Sequence, residues 1–169
     1  EADFIFLLGT NPRYEATILN ARIRKAYLQN KTKIVSLNDV GDLTYPYKSL
    51  DGNTENIKKI VEDNHEISSL IKEAKKPLVI FGQSCLRSKS SKYIFESIKS
   101  FLDENGKISD EWNSLNIISE KASTVGSFDL GLYKTVDGSN EVLKELENNK
   151  FEIVYLLGVD NLKFEKKNE

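Results

Sequence analysis

The stretch FIFLLGTNPRYEATILNARIRKAYL, residues 4–28, decides the fold. It opens on a continuous apolar run, Phe4-Ile5-Phe6-Leu7-Leu8. A strand with one wet face alternates apolar and polar residues. This run does not, so it reads as a strand buried on both faces. Gly9 ends it. Asn11 is placed to cap a following helix, because its side-chain oxygen can accept from a free backbone N–H, and Pro12 fits the first helical position, where no N–H is needed. From Glu15 onward, Leu19, Ile23 and Tyr27 fall on one helical stripe, with Arg22, Arg24 and Lys25 off it. Strand, tight turn and helix form the first half of a βαβ crossover. Open α/β sheets place ligands beside such turns, at the carboxyl ends of their strands.

The same form recurs. FIFLLG, PLVIFG and EIVYLLG are each a buried strand ended by glycine, at Gly9, Gly82 and Gly158. The intervals are long enough for crossover helices, which predicts an α/β fold: a mostly parallel sheet with helices on both faces, Rossmann-like in outline. Lys33–Leu37 reads as a further strand, and residues 42–52, DLTYPYKSLDG, as a loop. Asn53 or Thr54 caps a helix carrying Ile57, Ile60 and Val61. Asp63-Asn64-His65 interrupts it, and Ile67, Leu70, Ile71 and Ala74 mark the next helix. Gln83–Ser91 reads as a polar loop, Tyr93–Asp103 as a helix, Leu115–Ile118 as a short strand, Glu120–Val125 as a helical turn and Phe128–Leu132 as loop. Asp137-Gly138 is a turn, Asn140–Asn149 a short helix and Phe151–Leu157 the last strand. Residues 1–162 form one α/β domain, with a possible division into lobes at about 1–76 and 77–162, and 163–169 are a charged tail.

Composition narrows the function classes. In 169 residues, 24 basic and 26 acidic side chains leave a net charge of −2, which gives no support for a nucleic-acid partner. No apolar run approaches the ~20 residues of a membrane span, so no direct membrane insertion is expected. The single cysteine, Cys85, excludes an internal disulfide, and with the single histidine, His65, it leaves no cysteine- or histidine-based metal site in this chain. A catalytic triad has one candidate base. The chain begins at Glu1 rather than methionine, which reads as a piece of a longer protein or a processed one.

The candidate site is the turn Gly9-Thr10-Asn11-Pro12-Arg13. Backbone N–H groups at a helix start could hold a phosphate, with Arg13 beside it. It lacks the glycine spacing of a dinucleotide fingerprint and the Gly-Lys-Ser/Thr of a P-loop, so a plain strand-to-helix turn explains it as well. Arg22, Arg24 and Lys25 could dock an acidic partner surface, or simply form a solvated face. His65, between two helices, reads as a turn residue rather than a catalyst. Cys85 follows a strand-end glycine, and a structural buried thiol outweighs a reactive one. Trp112 reads as a packing residue. No pairing of acidic residues suggests glycosidase or two-metal work, and the catalytic and metal sets are empty.

Residues 9–25, GTNPRYEATILNARIRK, resemble the molybdopterin-oxidoreductase-like region of the large iron–sulfur subunit of respiratory NADH:quinone oxidoreductase, complex I. The family pattern is close to GTNPR-x-EAP-x-x-NARIRK, and Thr17 stands where proline is usual. Asp42-Leu43-Thr44-Tyr45, Glu73-Ala74-Lys75-Lys76-Pro77, Phe128-Asp129-Leu130-Gly131 and Tyr155-Leu156-Leu157-Gly158 follow in the family's order, so the resemblance spans nearly the whole chain.

The resemblance implies a fold like that of molybdopterin oxidoreductases such as formate dehydrogenase, whose Gly-x-Asn-Pro turn lies by a molybdopterin guanine dinucleotide. It implies that Gly9, Asn11, Pro12 and Arg13 are at most the remnant of that site, because the complex I branch is thought to have lost the cofactor. The iron–sulfur clusters of such a subunit are held by cysteines in its N-terminal part, none of which is present here. The expected role is a structural and assembly domain without a redox centre, in an enzyme passing electrons from NADH to quinone. Its expected partners are other peripheral-arm subunits and that N-terminal part, docked through Arg22, Arg24 and Lys25. The expected location is peripheral to the bacterial inner membrane on its cytoplasmic side, or to the mitochondrial inner membrane on its matrix side. Two other readings stay open: a catalytic domain of a molybdenum enzyme, and a stand-alone nucleotide-binding module.

Overall fold

A computed structural model describes residues 1–119, 121, 123–131, 148, 151–153 and 155. Its contacts group the chain into two units, Glu1–Gly126 and Ser127–Glu169. The first holds a parallel sheet of β1 (Phe4–Leu8), β2 (Lys33–Ser36), β3 (Lys48–Ser49), β4 (Pro77–Phe81) and β5 (Leu115–Ile117), in the order β3-β2-β1-β4-β5. This is the doubly wound order, with its switch point between β1 and β4. β4 pairs with β1 from Phe4↔Pro77 to Leu8↔Phe81. The possible boundary at residues 76 and 77 therefore falls inside one sheet.

β1 is central and every one of its residues is buried. Its alternation sorts the core, because successive side chains point to opposite faces. Phe4, Phe6 and Leu8 pack with Val35, Val79 and Phe81 against α3 (Thr54–Val61), α4 (Glu66–Glu73) and α6 (Ser91–Glu104), through Ile57, Ile60, Ile67, Ile71, Ile94, Ile98, Phe101 and Leu102. Ile5 and Leu7 face the other way, with Ile34 and Ile80, onto Ile23, Leu43 and Tyr45. Both predicted layers are present.

The helix expected to run from Pro12 is broken. α1 is the single turn Pro12–Glu15, and α2 spans Thr17–Asn30. Ala16 between them has φ −152° and ψ 71°, outside the helical region, and Glu15 before it folds its side chain back onto the start of α1. β3 lies inside the segment read as loop. It is only two polar residues on the sheet edge, too short to carry a periodicity. Gln83–Leu86 is a helical turn, α5, where polar loop was expected; the Leu86 and Arg87 N–H groups bond back to the carbonyls of Gly82 and Gln83. Thr124–Asp129 is α7, so Phe128 and Asp129 are helical rather than loop. None of its residues is buried, and it therefore has no apolar stripe to read.

In the second unit, Phe151–Ile153 and Tyr155 form no strand, and Phe151, Ile153 and Tyr155 are exposed. The rest of the expected strand 151–157 with Gly158, the Asp137-Gly138 turn, nearly all of the helix 140–149 and the tail 163–169 lie outside the described residues.

Candidate functional site

The carboxyl ends of β1 and β4 flank the switch point, where a doubly wound sheet opens its ligand crevice. Here the two loops touch. The Gly82 N–H donates to the Leu8 carbonyl at 2.9 Å, and the Ser84 hydroxyl donates to the Gly9 carbonyl at 2.5 Å. A Cβ on Gly9 would stand 2.5 Å from Cys85 N and 2.6 Å from Cys85 Cβ, and one on Gly82 would overlap the Gly9 carbonyl oxygen and the Thr10 side chain. Glycine is needed at both places for backbone to meet backbone. Thr10 is buried in the seam.

The Asn11 and Arg13 N–H groups and the Thr10 hydroxyl of the Gly9–Arg13 turn are already engaged. The Glu15 carboxylate accepts the Asn11 N–H at 2.8 Å and the Thr10 hydroxyl at 3.1 Å. The Asn11 side chain caps α1 by accepting the Arg13 N–H at 3.0 Å, and the Tyr14 and Glu15 N–H groups bond to the Asn11 carbonyl. Pro12 occupies the first helical position and offers no N–H. The Arg13 guanidinium turns away to Asp42, 2.6 Å from its carboxylate and 2.9 Å from its carbonyl. Asp42 is held below the ordinary carboxylate range by the Thr44 N–H first and by Arg13 second. A phosphate placed on the Asn11 N–H would have to displace the Glu15 side chain that already accepts from it.

The second quoted motif, Asp42–Tyr45, is the counterpart of the first. Asn11 Nδ2 donates to the Val40 carbonyl at 2.7 Å, Asn20 Nδ2 to the Leu43 carbonyl at 3.1 Å, and the Tyr45 hydroxyl to Asn20 Oδ1 at 2.7 Å. Leu43 and Tyr45 are buried, and burial raises the Tyr45 phenol far above its usual range. Gly9, Asn11, Pro12 and Arg13 thus come together, but as a lock between the first βα unit and the 38–47 loop.

Arg22, Arg24 and Lys25 are exposed along α2 and, among the described residues, make no ion pair. Cys85 is buried in the main core, and burial raises its thiol pKa, as befits an unreactive side chain. His65 caps α4, with Nδ1 accepting the Ile67 N–H at 3.2 Å. Trp112 donates its indole N–H to the Pro77 carbonyl at 2.8 Å, with the Lys76 ammonium 5.2 Å from its ring centre. These two line a cavity of about 290 Å³ at the opposite sheet edge with Lys75, Lys107 and Glu111. Lys107 is committed there to the Lys72 and Ala74 carbonyls and Lys76 to Glu1, so the cavity is part of the framework. Among the described residues no three His, Cys, Asp or Glu side chains are placed to share a metal ion, and no helix is long and apolar enough to cross a membrane.

Sequence reasoning missed Glu15 and Ser84, the two side chains that bond to the turn from α1 and from the β4 loop. For Glu15 a signal existed: a carboxylate about one turn after a helix-capping residue reaches back to the chain's free N–H groups. Ser84 had none, since its acceptor is 75 residues away.

A doubly wound parallel sheet whose two switch-point loops are joined by the Gly82–Leu8 and Ser84–Gly9 hydrogen bonds defines the class of the fold, an open α/β domain. Residues 1–169 match the molybdopterin oxidoreductase family over the whole chain, and the chain belongs to that family. It is 34% identical over its full length to the NADH-ubiquinone oxidoreductase 75 kDa subunit of Reclinomonas americana, covering 24% of that protein. It is 31% identical over 98% of its length to the mitochondrial NADH dehydrogenase [ubiquinone] iron-sulfur protein 1 of Solanum tuberosum, covering 21% of it. It is 32% identical over 96% of its length to the mitochondrial NADH-ubiquinone oxidoreductase 78 kDa subunit of Candida albicans, again covering 21%. The chain therefore spans a fifth to a quarter of the curated relatives it matches.

Proposed function

We propose that this chain is a structural and assembly domain of the large iron–sulfur subunit of a proton-translocating NADH:quinone oxidoreductase, complex I, and that it holds no cofactor of its own. The names of the relatives support the parent enzyme. The observation that carries the role is the engagement of the Asn11 N–H and the Thr10 hydroxyl by Glu15 and of the Gly9 carbonyl by Ser84, which sets a carboxylate and a loop-to-loop contact where a molybdopterin guanine dinucleotide would have to enter. Electrons would pass through clusters bound by the N-terminal part of the parent subunit. This domain would pack against that part and against neighbouring peripheral-arm subunits, with Arg22, Arg24 and Lys25 facing partner carboxylates. The assembly would sit peripherally at the bacterial inner membrane on the cytoplasmic side, or at the mitochondrial inner membrane on the matrix side.

The test is elemental and nucleotide analysis of the purified full-length subunit in its assembly. The expected result is iron without molybdenum and no guanine nucleotide released on denaturation. Stoichiometric molybdenum with released guanine nucleotide would overturn the reading in favour of a catalytic molybdenum enzyme of the formate dehydrogenase type.

A further inference from the structure

Helix α6 ends in a corner built on the one Asn-Gly pair of the sequence, Asn105-Gly106. The Gly106 N–H donates to the Asp103 carbonyl at 2.9 Å and the Lys107 N–H to the Leu102 carbonyl at 2.8 Å. These are the two bonds of a Schellman cap, and they need the left-handed backbone that Gly106 supplies with φ +64°. The Asn105 amide adds a third bond, Nδ2 donating to the Phe101 carbonyl at 2.7 Å. The chain stays tied down beyond the corner. Lys107 Nζ donates to the Lys72 and Ala74 carbonyls at the end of α4, each at 2.7 Å. The Ser114 N–H donates to the Lys107 carbonyl at 3.2 Å, just before β5. One corner therefore joins α6, α4 and β5.

The same two residues carry a reaction of their own. The Gly106 backbone nitrogen can attack the Asn105 Cγ atom. A nitrogen–carbon bond forms, the Cγ–Nδ2 bond breaks, and ammonia leaves with the proton that the Gly106 nitrogen gives up. Water then opens the five-membered imide at either carbonyl, giving aspartate or isoaspartate. Glycine leaves the attacking nitrogen unshielded. In the folded corner each reacting group is held off this path. The Gly106 proton is donated to Asp103 and the Asn105 amide is held on Phe101. The Asn105 ψ of 12° sets the Gly106 nitrogen alongside the Asn105 nitrogen, not beside Cβ, where ring closure needs it.

We propose that Asn105-Gly106 is a site of spontaneous deamidation that the α6 cap keeps shut and that reacts when the corner frays. Either product replaces the donor amide by a carboxylate facing the Phe101 carbonyl oxygen, and sets a negative charge at the carbonyl end of α6, where the helix dipole opposes it. Isoaspartate also carries the main chain through the side-chain carbon, which takes the Lys107 N–H off Leu102. Conversion thereby loosens the joint of α6 with α4 and β5.

The intact chain is incubated at mildly alkaline pH, with and without concentrated urea, and conversion of Asn105 is followed by peptide mass spectrometry. In urea the pair should convert steadily. In buffer alone it should convert about tenfold more slowly or less, because only the open fraction reacts. Lys107→Ala removes the two bonds to α4 and keeps the Asn-Gly pair. It should speed conversion in buffer and leave the rate in urea unchanged. Asn105→Asp, one of the two products, should lower the urea midpoint and speed amide exchange at Gly106 and Lys107. Equal rates with and without urea, or no conversion in urea, would overturn the proposal. So would a folded Lys107→Ala chain that converts no faster in buffer, or an Asn105→Asp chain as stable as the native one. Circular dichroism shows whether Lys107→Ala folds; where it does not, the two rates of the native chain decide.

Discussion

The Ser84 hydroxyl sits on the Gly9 carbonyl oxygen at 2.5 Å, joining the ends of the two strands that flank the switch point. In a sheet of this order a ligand would enter between those strand ends. The contact is possible because neither Gly9 nor Gly82 has a side chain, so the seam is set by backbone rather than by an adjustable side-chain layer.

Adding one carbon to the seam should therefore be costly. Gly82→Ala drives a methyl into the Gly9 carbonyl and Thr10, neither of which is the end of a flexible side chain. A loss of about 1–3 kcal/mol or more is expected from overpacking of this kind. Urea denaturation measures it, and an unchanged midpoint would show that the seam is loose.

Leu7 is fully buried in the central strand and faces the α2 layer with Ile34 and Ile80. Leu7→Ala should cost about 2–5 kcal/mol, as truncations of buried leucine do. A lower urea midpoint at an unchanged denaturant slope is the expected reading.

His65 begins α4 through its Nδ1 atom, which stands in for the side-chain oxygen of a usual capping residue. His65→Ala should lose about 0.5–2 kcal/mol, and His65→Asn should restore it, because asparagine is among the best capping residues. Faster amide exchange at Ile67 in the alanine variant alone would place the loss at the cap.

The Asp42 carboxylate accepts the Thr44 N–H and the Arg13 guanidinium, and both lower its pKa. A lowered folded pKa means that its contribution is complete above the unfolded value and is lost as pH falls through the folded one. The pair is exposed, so salt should weaken it. In a carboxyl NMR titration Arg13→Ala should move the Asp42 midpoint upward but leave it below the ordinary range, because the Thr44 N–H remains. An unmoved midpoint would show that Arg13 does not hold Asp42 in solution.

Much of this fold is legible residue by residue. Phe4–Leu8 and Leu78–Phe81 announce buried strands because they are apolar without alternation, and Asn11 and Asn53 announce helix starts by their side-chain oxygens, as observed. The break at Ala16 escapes the pattern, since Leu19, Ile23 and Tyr27 keep their stripe whether or not a helix precedes them. β3, α5 and α7 escape because each is short or buries little. The candidate site was legible only as a turn. Its chemistry depends on Arg13 meeting Asp42, 29 residues on, and on Ser84 meeting Gly9, 75 residues back, and no local pattern encodes such distances.

The central claim is that this turn is occupied by the protein itself. Calorimetric titration of the chain with GDP tests it most directly. The account predicts no saturable heat, in the native chain and in Arg13→Ala alike. Binding tighter than about 0.1 mM, near −5.5 kcal/mol, that disappears in Arg13→Ala would contradict it.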